Sequence, residues 1–261
     1  MYIYDSMIYT KPMHNETIIE SYKKSLKRLL LLDYDGVLAP IVDLPELAAP
    51  SAETLSLLRR LTSDEHTTCV IISGRQYQTL EDWLGDLPLG FTAEHGLWCK
   101  EPHGTWQQLS EVATDWKSEI EQIMTTYVMQ LPGSFTEQKT ASIGLHYRKA
   151  DQVVAAQMIV RLIEELEPLA KKANLRILHG KKVVEVVPLG VDKGSAAKRW
   201  IDTGDWDFVL AAGDDVTDES MFESLPSNVV TIKVGKGDTA ARYRVETQPE
   251  FITLLQRLVA S

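Results

Sequence analysis

Apolar runs and polar breaks alternate along the first hundred residues in a way that predicts a layered α/β fold. Residues 29–32 are four consecutive leucines, followed at once by Asp33, Tyr34 and Asp35. A run so short and uniformly apolar predicts a strand buried on both faces, as in a parallel sheet. In SAETLSLLRRLTSD (51–64), Leu55, Leu58 and Leu61 recur at helical spacing behind a capping Ser51. Glu53 lies in the first turn, where a carboxylate suits the helix dipole. TTCVIISGR (67–75) predicts a β-branched strand ending in a Ser-Gly turn, and QTLEDWLG (78–85) a helix stopped by Gly85. LGFTAEHGLWCK (89–100) predicts a third short strand and a turn.

From about Trp98 to His179 the pattern changes. GTWQQL (104–109) has the look of a hairpin edge, and 112–131 an amphipathic helix closed by Pro132-Gly133. Residues 134–148 alternate as a strand does, 150–173 predict a long helix, and LRILHGKKVVEVVP (175–188) a hairpin. The α/β alternation then resumes with helix (192–204), strand (206–215), helix start (217–225) and strand (228–235). The expected division is therefore a core of residues 1–97 plus 181–261 and an inserted α+β domain over 98–180.

Composition narrows the function classes. The 261 residues are 44% hydrophobic and 25% charged, ordinary for a soluble globular protein. A formal net charge of -10 is a poor footprint for nucleic acid and for anionic membranes, and neither is expected as a partner. A small anionic substrate stays possible, because a metal ion and a few cationic groups can invert the field locally. Cys69 and Cys99 make no disulfide framework, which fits a reducing compartment. No apolar run reaches transmembrane length, and the first twenty residues lack the charged and apolar regions of a secretory signal. The expectation is a cytoplasmic protein whose first residues are loosely ordered or form a docking helix.

Three apolar runs end in polar groups: LLLLD-Y-D-G, VII-S-G-R and FVLAAG-D-D. In an open α/β sheet ligands bind beyond the carboxyl ends of the strands. Parallel pairing would bring Asp33, Ser73 and Asp214 to one edge. Asp33 and Asp35 offer a nucleophile and a general acid that later acts as base. Carboxylates gathered in this way call for a hard cation such as Mg²⁺, with Asp214 and Asp218 as further donors. Lys193, just before a predicted helix, is placed to face an anion together with the helix N-terminus. Each motif alone has an ordinary explanation: a surface D-x-D, a turn, a solvated loop, an exposed lysine. Their succession in one chain favours a shared site.

Taken together, DYDGVL, IISGR, GVDKG and GDDVTDE resemble the haloacid dehalogenase-like superfamily of aspartate-nucleophile phosphohydrolases. AEHGLW (93–98), TEQKTASIGLHYR (136–148), GKKVVEVVPLGVDKG (180–194) and GDDVTDESMF (213–222) narrow the resemblance to the trehalose-6-phosphate phosphatase family. The resemblance implies a Rossmann-like, mostly parallel core with an inserted α+β cap. It implies Asp33 as nucleophile, Asp35 as general acid and base, and Ser73 and Lys193 as holders of the phosphoryl group. It implies Mg²⁺ bound by Asp33, the Asp35 carbonyl and Asp214, with Asp215 and Asp218 orienting that shell. Glu137, Lys139, Arg148 and Glu185 match the family's polar cap positions, and Glu94 and His95 its core-side sugar contacts. His146 is an expected sugar contact or a packing residue. Glu185, a carboxylate inside VVEVV, is costly to bury without a partner. Val37 stands where the family usually has threonine, which bears on fine positioning of that loop. The implied substrate is trehalose 6-phosphate, with a trehalose-phosphate synthase as a further expected partner. The competing readings are a sucrose or hexose phosphate phosphatase, or a non-catalytic module that binds trehalose 6-phosphate.

Overall fold

The computed structural model describes residues 15–260. Helix α1 (Asn15–Lys24) falls in the segment expected to be loose or to dock, and its Ile18, Ile19 and Tyr22 are buried. The rest of that segment lies outside the described residues.

An eight-stranded sheet forms the core. Its first half runs β1 (Arg28–Leu32), α2 (Ala52–Thr62), β2 (Thr67–Ile72), α3 (Tyr77–Leu84), β3 (Gly90–Ala93), β4 (Trp98–Lys100) and β5 (Gln107–Gln108). There follow α4 (Lys117–Gln130), β6 (Phe135–Gln138), β7 (Ile143–His146), α5 (Gln152–Lys172), β8 (Leu175–Gly180) and β9 (Val183–Pro188). The chain ends with α6 (Lys193–Ile201), β10 (Phe208–Gly213), α7 (Glu219–Ser224), β11 (Val230–Val234), β12 (Tyr243–Val245) and α8 (Gln248–Leu258).

The core order is β12-β11-β10-β1-β2-β3-β4-β5. Every pair from β12 to β3 is parallel, and β4 and β5 are antiparallel to their neighbours. From β1 the chain winds outward through β2 and β3, and from β10 it winds the other way through β11 and β12. The reversal between β1 and β10 is the kind of crevice where such sheets bind ligands. Strand β1 explains its four leucines. Leu30 and Leu32 pack under α2, α3 and α8 on one face, and Leu29 and Leu31 under α6 and α7 on the other. Cys69 is core, as its apolar neighbours imply.

A second sheet, β6-β7-β9-β8, is antiparallel throughout. Helices α4 and α5 cover one of its faces through Ile120, Met124, Ile159 and Leu162 against Ile143, Leu145, Val184 and Val186. Trp116 belongs to that cluster, while Trp98 and Trp106 pack on the core.

Sheet membership corrects the expected 98–180 insertion. Strands β4 and β5 continue the core sheet, and β9 lies inside the second one. The change of pattern at Trp98 marks a switch from parallel to antiparallel pairing within one sheet. Residue 181 sits at the tip of the β8–β9 hairpin, and a hairpin cannot be divided between two sheets.

Candidate active site

The floor of the site is built at the β1/β10 reversal. Asp33 leaves β1 with its N–H bonded to the Ala212 carbonyl of β10 at 3.0 Å, so the two strand ends stay in register. Asp214 follows β10 directly. Gly36 has φ of +76°, and a Cβ there would come within 2.0 Å of Asp214 Oδ2. Only glycine lets the loop after β1 pass so close to that carboxylate. Lys193 opens α6, whose Asp192 caps the helix by accepting from the Ser195 N–H.

These side chains meet in a buried cluster. Lys193 Nζ lies 2.9 Å from Asp33 Oδ1 and 2.8 Å from Asp218 Oδ1. Asp218 Oδ2 accepts from the N–H groups of Asp214 and Asp215 at 2.8 and 2.9 Å. Both oxygens of Asp218 are thereby used in holding the loop and the lysine. Asp33 Oδ1 also accepts from the Tyr34 N–H, while Oδ2 accepts no hydrogen bond among the described residues. An oxygen with that freedom is what a nucleophile needs.

The electrostatics of the floor are unbalanced. Burial and then the neighbouring Asp218 push the Asp33 carboxyl well above the usual range, against the pull of Lys193. Asp214 is pushed up to about 6, by burial first, and Lys181 only partly offsets this. Burial works against the Lys193 ammonium, yet Asp218 and Asp33 outweigh it and hold the lysine firmly protonated. Oxygens of Asp33, Asp214 and Asp218 lie within 4.8 Å of one another. An all-oxygen donor set with surplus buried negative charge fits a hard divalent cation.

Two further groups complete the floor. Ser73, buried at the end of β2, accepts from the Arg75 N–H at 3.2 Å. Asp35 is gripped by the Arg75 guanidinium, Nε to Oδ2 at 2.8 Å and Nη2 to Oδ1 at 2.7 Å.

The roof is the uncovered face of the second sheet. Glu137 pairs across β6–β7 with Gly144, and Gly144 across β7–β9 with Glu185. Cross-strand partners point to one face, so the two carboxylates flank a position without a side chain. Glu185 is buried, with Oε1 accepting from Lys139 Nζ at 2.7 Å and from Ser142 Oγ at 2.6 Å. Its Oε2 lies 3.1 Å from His95 Nε2. Burial alone would raise the Glu185 carboxyl, but Lys139 and His95 hold it well below the carboxylate range. His146 Nε2 sits 2.8 Å from Glu137 Oε2, and its ring stacks on Phe135 at 4.8 Å.

Floor and roof share one cleft. Its lining includes the predicted Asp33, Asp35, Ser73, His95, Glu137, Lys139, His146, Arg148, Glu185, Lys193, Asp214 and Asp215. Two predicted residues do not line it. Asp218 lies beneath the floor, fully buried. Glu94 clasps core to cap instead, accepting from the Thr140 N–H and Oγ1 at 2.9 Å each. His95 reaches the cleft through a left-handed φ of 60°, and a Cβ on Gly74 would meet its ring at 2.6 Å. Arg148 lines the cleft and donates to the Lys181 carbonyl at 2.6 Å.

Sequence reasoning missed Arg75 and Lys181. Arg75 closes the IISGR motif, which by itself predicts only a turn. Lys181 sits at the β8–β9 tip and its Nζ contacts Asp214, while its N–H donates to Asp215 Oδ2 at 3.0 Å. The paired lysines after Gly180 were the available signal, since a turn tip that carries charge must face water or a partner.

A family model described as trehalose-phosphatase matches residues 31–249. The chain belongs to the trehalose-phosphatase family. It is 43% identical over 250 residues to a bifunctional trehalose-6-phosphate synthase/phosphatase of Thermoproteus tenax, covering 96% of this chain and 34% of that relative. It is 39% identical over 223 residues to a trehalose-phosphatase of Schizosaccharomyces pombe, covering 82% of this chain and 27% of that one. The chain thus spans about a third or less of these relatives' length. The solved C-terminal domain of C. albicans trehalose-6-phosphate phosphatase superposes with a TM-score of 0.92 at 31% identity, covering 97% of this chain and 99% of that one. The fold is haloacid dehalogenase-like: a haloacid dehalogenase-like hydrolase from Bacteroides thetaiotaomicron superposes with a TM-score of 0.63 at 16% identity, covering 89% of this chain and 99% of that one. Among the described residues no helix is long and apolar enough to cross a membrane.

Proposed function

We propose that this chain hydrolyses trehalose 6-phosphate to trehalose and phosphate, with Mg²⁺ as its metal and an aspartyl-phosphate as intermediate. One observation carries the reading. A buried Asp33–Lys193–Asp218 cluster beside Asp214 forms the floor of a cleft whose roof presents Glu137, Lys139 and Glu185. The floor suits a phosphoryl group and the roof suits hydroxyls, because carboxylates accept paired hydrogen bonds from a sugar.

Asp33 attacks phosphorus, and the bond to the sugar oxygen breaks. The Asp35 carboxyl gives that oxygen its proton. Asp35, now ionised, takes a proton from the water that attacks the aspartyl-phosphate, and phosphate leaves as Asp33 is restored. Lys193 and Ser73 hold the non-bridging oxygens throughout. Asp33, the Asp35 backbone carbonyl and Asp214 would hold Mg²⁺, which when bound neutralises charge on those oxygens. Closure of the roof over the floor excludes bulk water until the sugar departs. A trehalose-phosphate synthase supplies the substrate.

The test is phosphate release from trehalose 6-phosphate, sucrose phosphate and hexose phosphates, with Mg²⁺ and with a chelator. The expected result is Mg²⁺-dependent release with trehalose 6-phosphate preferred. Preference for another sugar phosphate would replace the substrate, and no release with any would favour a module that binds without turnover.

A further inference from the structure

Asp35 has to transfer two protons in succession, and a carboxylate at the mouth of a cleft is free to rotate unless something fixes it. Its side chain is about a third exposed, unlike the buried Asp33. What fixes it is Arg75. The guanidinium brackets both Asp35 oxygens in parallel, the geometry in which a planar fork matches a carboxylate. Arg75 is itself constrained from three sides. Its Nη1 donates to the Pro45 carbonyl at 2.9 Å. Its Cζ lies 4.6 Å from the centre of the Trp83 ring and 5.5 Å from that of Tyr34. Tyr34 is buried, and its hydroxyl donates to the Ala48 carbonyl at 2.6 Å. Arg75 therefore ties the loop after β1, the turn at Pro45 and the end of β2 to one carboxylate.

We infer that Arg75 is the positioning residue for Asp35, setting the plane of its carboxyl for proton delivery to the leaving oxygen and proton removal from water. The inference rests on the phosphatase reading above. Each bracketed oxygen accepts one N–H of the fork and has a second lone pair left for a proton, so the fork orients Asp35 without using up either oxygen. A lysine cannot replace it, because a single ammonium neither brackets two oxygens nor lies flat on Trp83.

The test uses Arg75→Lys and Arg75→Met beside the unaltered chain. Each is assayed on the sugar phosphate that the unaltered chain turns over fastest and on 2,4-dinitrophenyl phosphate, whose leaving group departs without a proton. The expected result is a kcat on the sugar phosphate reduced on the order of 100-fold in both variants, with KM little changed. The first-turnover burst of dinitrophenolate should stay within about threefold, because that step needs no acid. An equal loss on both substrates would reduce Arg75 to a structural role, and an unimpaired sugar-phosphate turnover would reject the inference. An unaltered chain that releases no phosphate from either ester would reject the phosphatase reading, and the role of Arg75 with it.

Discussion

The floor and the roof of the cleft hold charge in opposite ways. On the floor, Asp33 and Asp218 share the buried Lys193, Asp214 meets only the exposed Lys181, and the Asp33 and Asp214 carboxyls are driven above their ordinary range. On the roof, each carboxylate has a partner: Lys139, Ser142 and His95 for Glu185, and His146 for Glu137. Accordingly Glu185 and Glu137 lie below the ordinary range although burial pushes both the other way. The floor keeps an unmet demand for positive charge, which a divalent cation would meet. The roof is nearly self-sufficient, which under the proposed function would let it meet neutral hydroxyls without a counter-ion.

The largest effect should follow from breaking the floor's chemistry while sparing its shape. Asp33→Asn keeps the volume and removes the nucleophile. Turnover of every phosphate ester should fall by roughly 10⁴-fold or more, with the thermal midpoint no lower than in the unaltered chain. The midpoint holds because the Asp33 carboxyl is raised, and a charge held at a cost is no loss when removed. Thermal melts and initial rates measured on one preparation check it.

A smaller and more selective effect is expected from the roof. Glu185→Gln should lower kcat/KM for trehalose 6-phosphate on the order of 100-fold, leaving p-nitrophenyl phosphate within about threefold. Equal losses on both would remove Glu185 from sugar recognition. The same change strands Lys139 and should cost about 3 kcal/mol of stability at neutral pH. The sign with pH follows from the depressed Glu185 carboxyl. Its stabilisation is complete above the ordinary value of 4.5 and is lost as pH falls through its lower folded value. The gap in stability between the two proteins should therefore hold above pH 4.5 and close as pH falls from 4.5 through the lower folded value. Denaturant titrations across that range measure it.

The two regions also differed in how far the sequence disclosed them. Floor residues follow apolar strands directly, so their position is fixed by backbone pairing that short-range pattern reveals. Leu29–Leu32 pointed to its strand, and Asp33 to its end, because a strand covered on both faces buries every residue of such a run. The roof depends on pairing across three segments. The row Glu137–Gly144–Glu185 exists only once register is known, and no local pattern gives register between strands forty residues apart. VVEVV announced a buried carboxylate, but not that Lys139 and His95 would meet it. Arg75 escaped notice for the same reason: its partner lies forty residues earlier, across the β1–β2 pairing. Glu94 resembled a sugar contact in its motif, and Thr140 of the cap engages both its oxygens.

On the proposed mechanism Asp33 carries the phosphoryl group during turnover. Quenching the reaction in the steady state, reducing the trapped protein with borohydride and mapping its peptides would locate that group. The expected peptide carries homoserine in place of aspartate at position 33, dependent on substrate and absent when Asp33 is asparagine. Reduction at another carboxylate, or at none while phosphate is still being released, would contradict that mechanism.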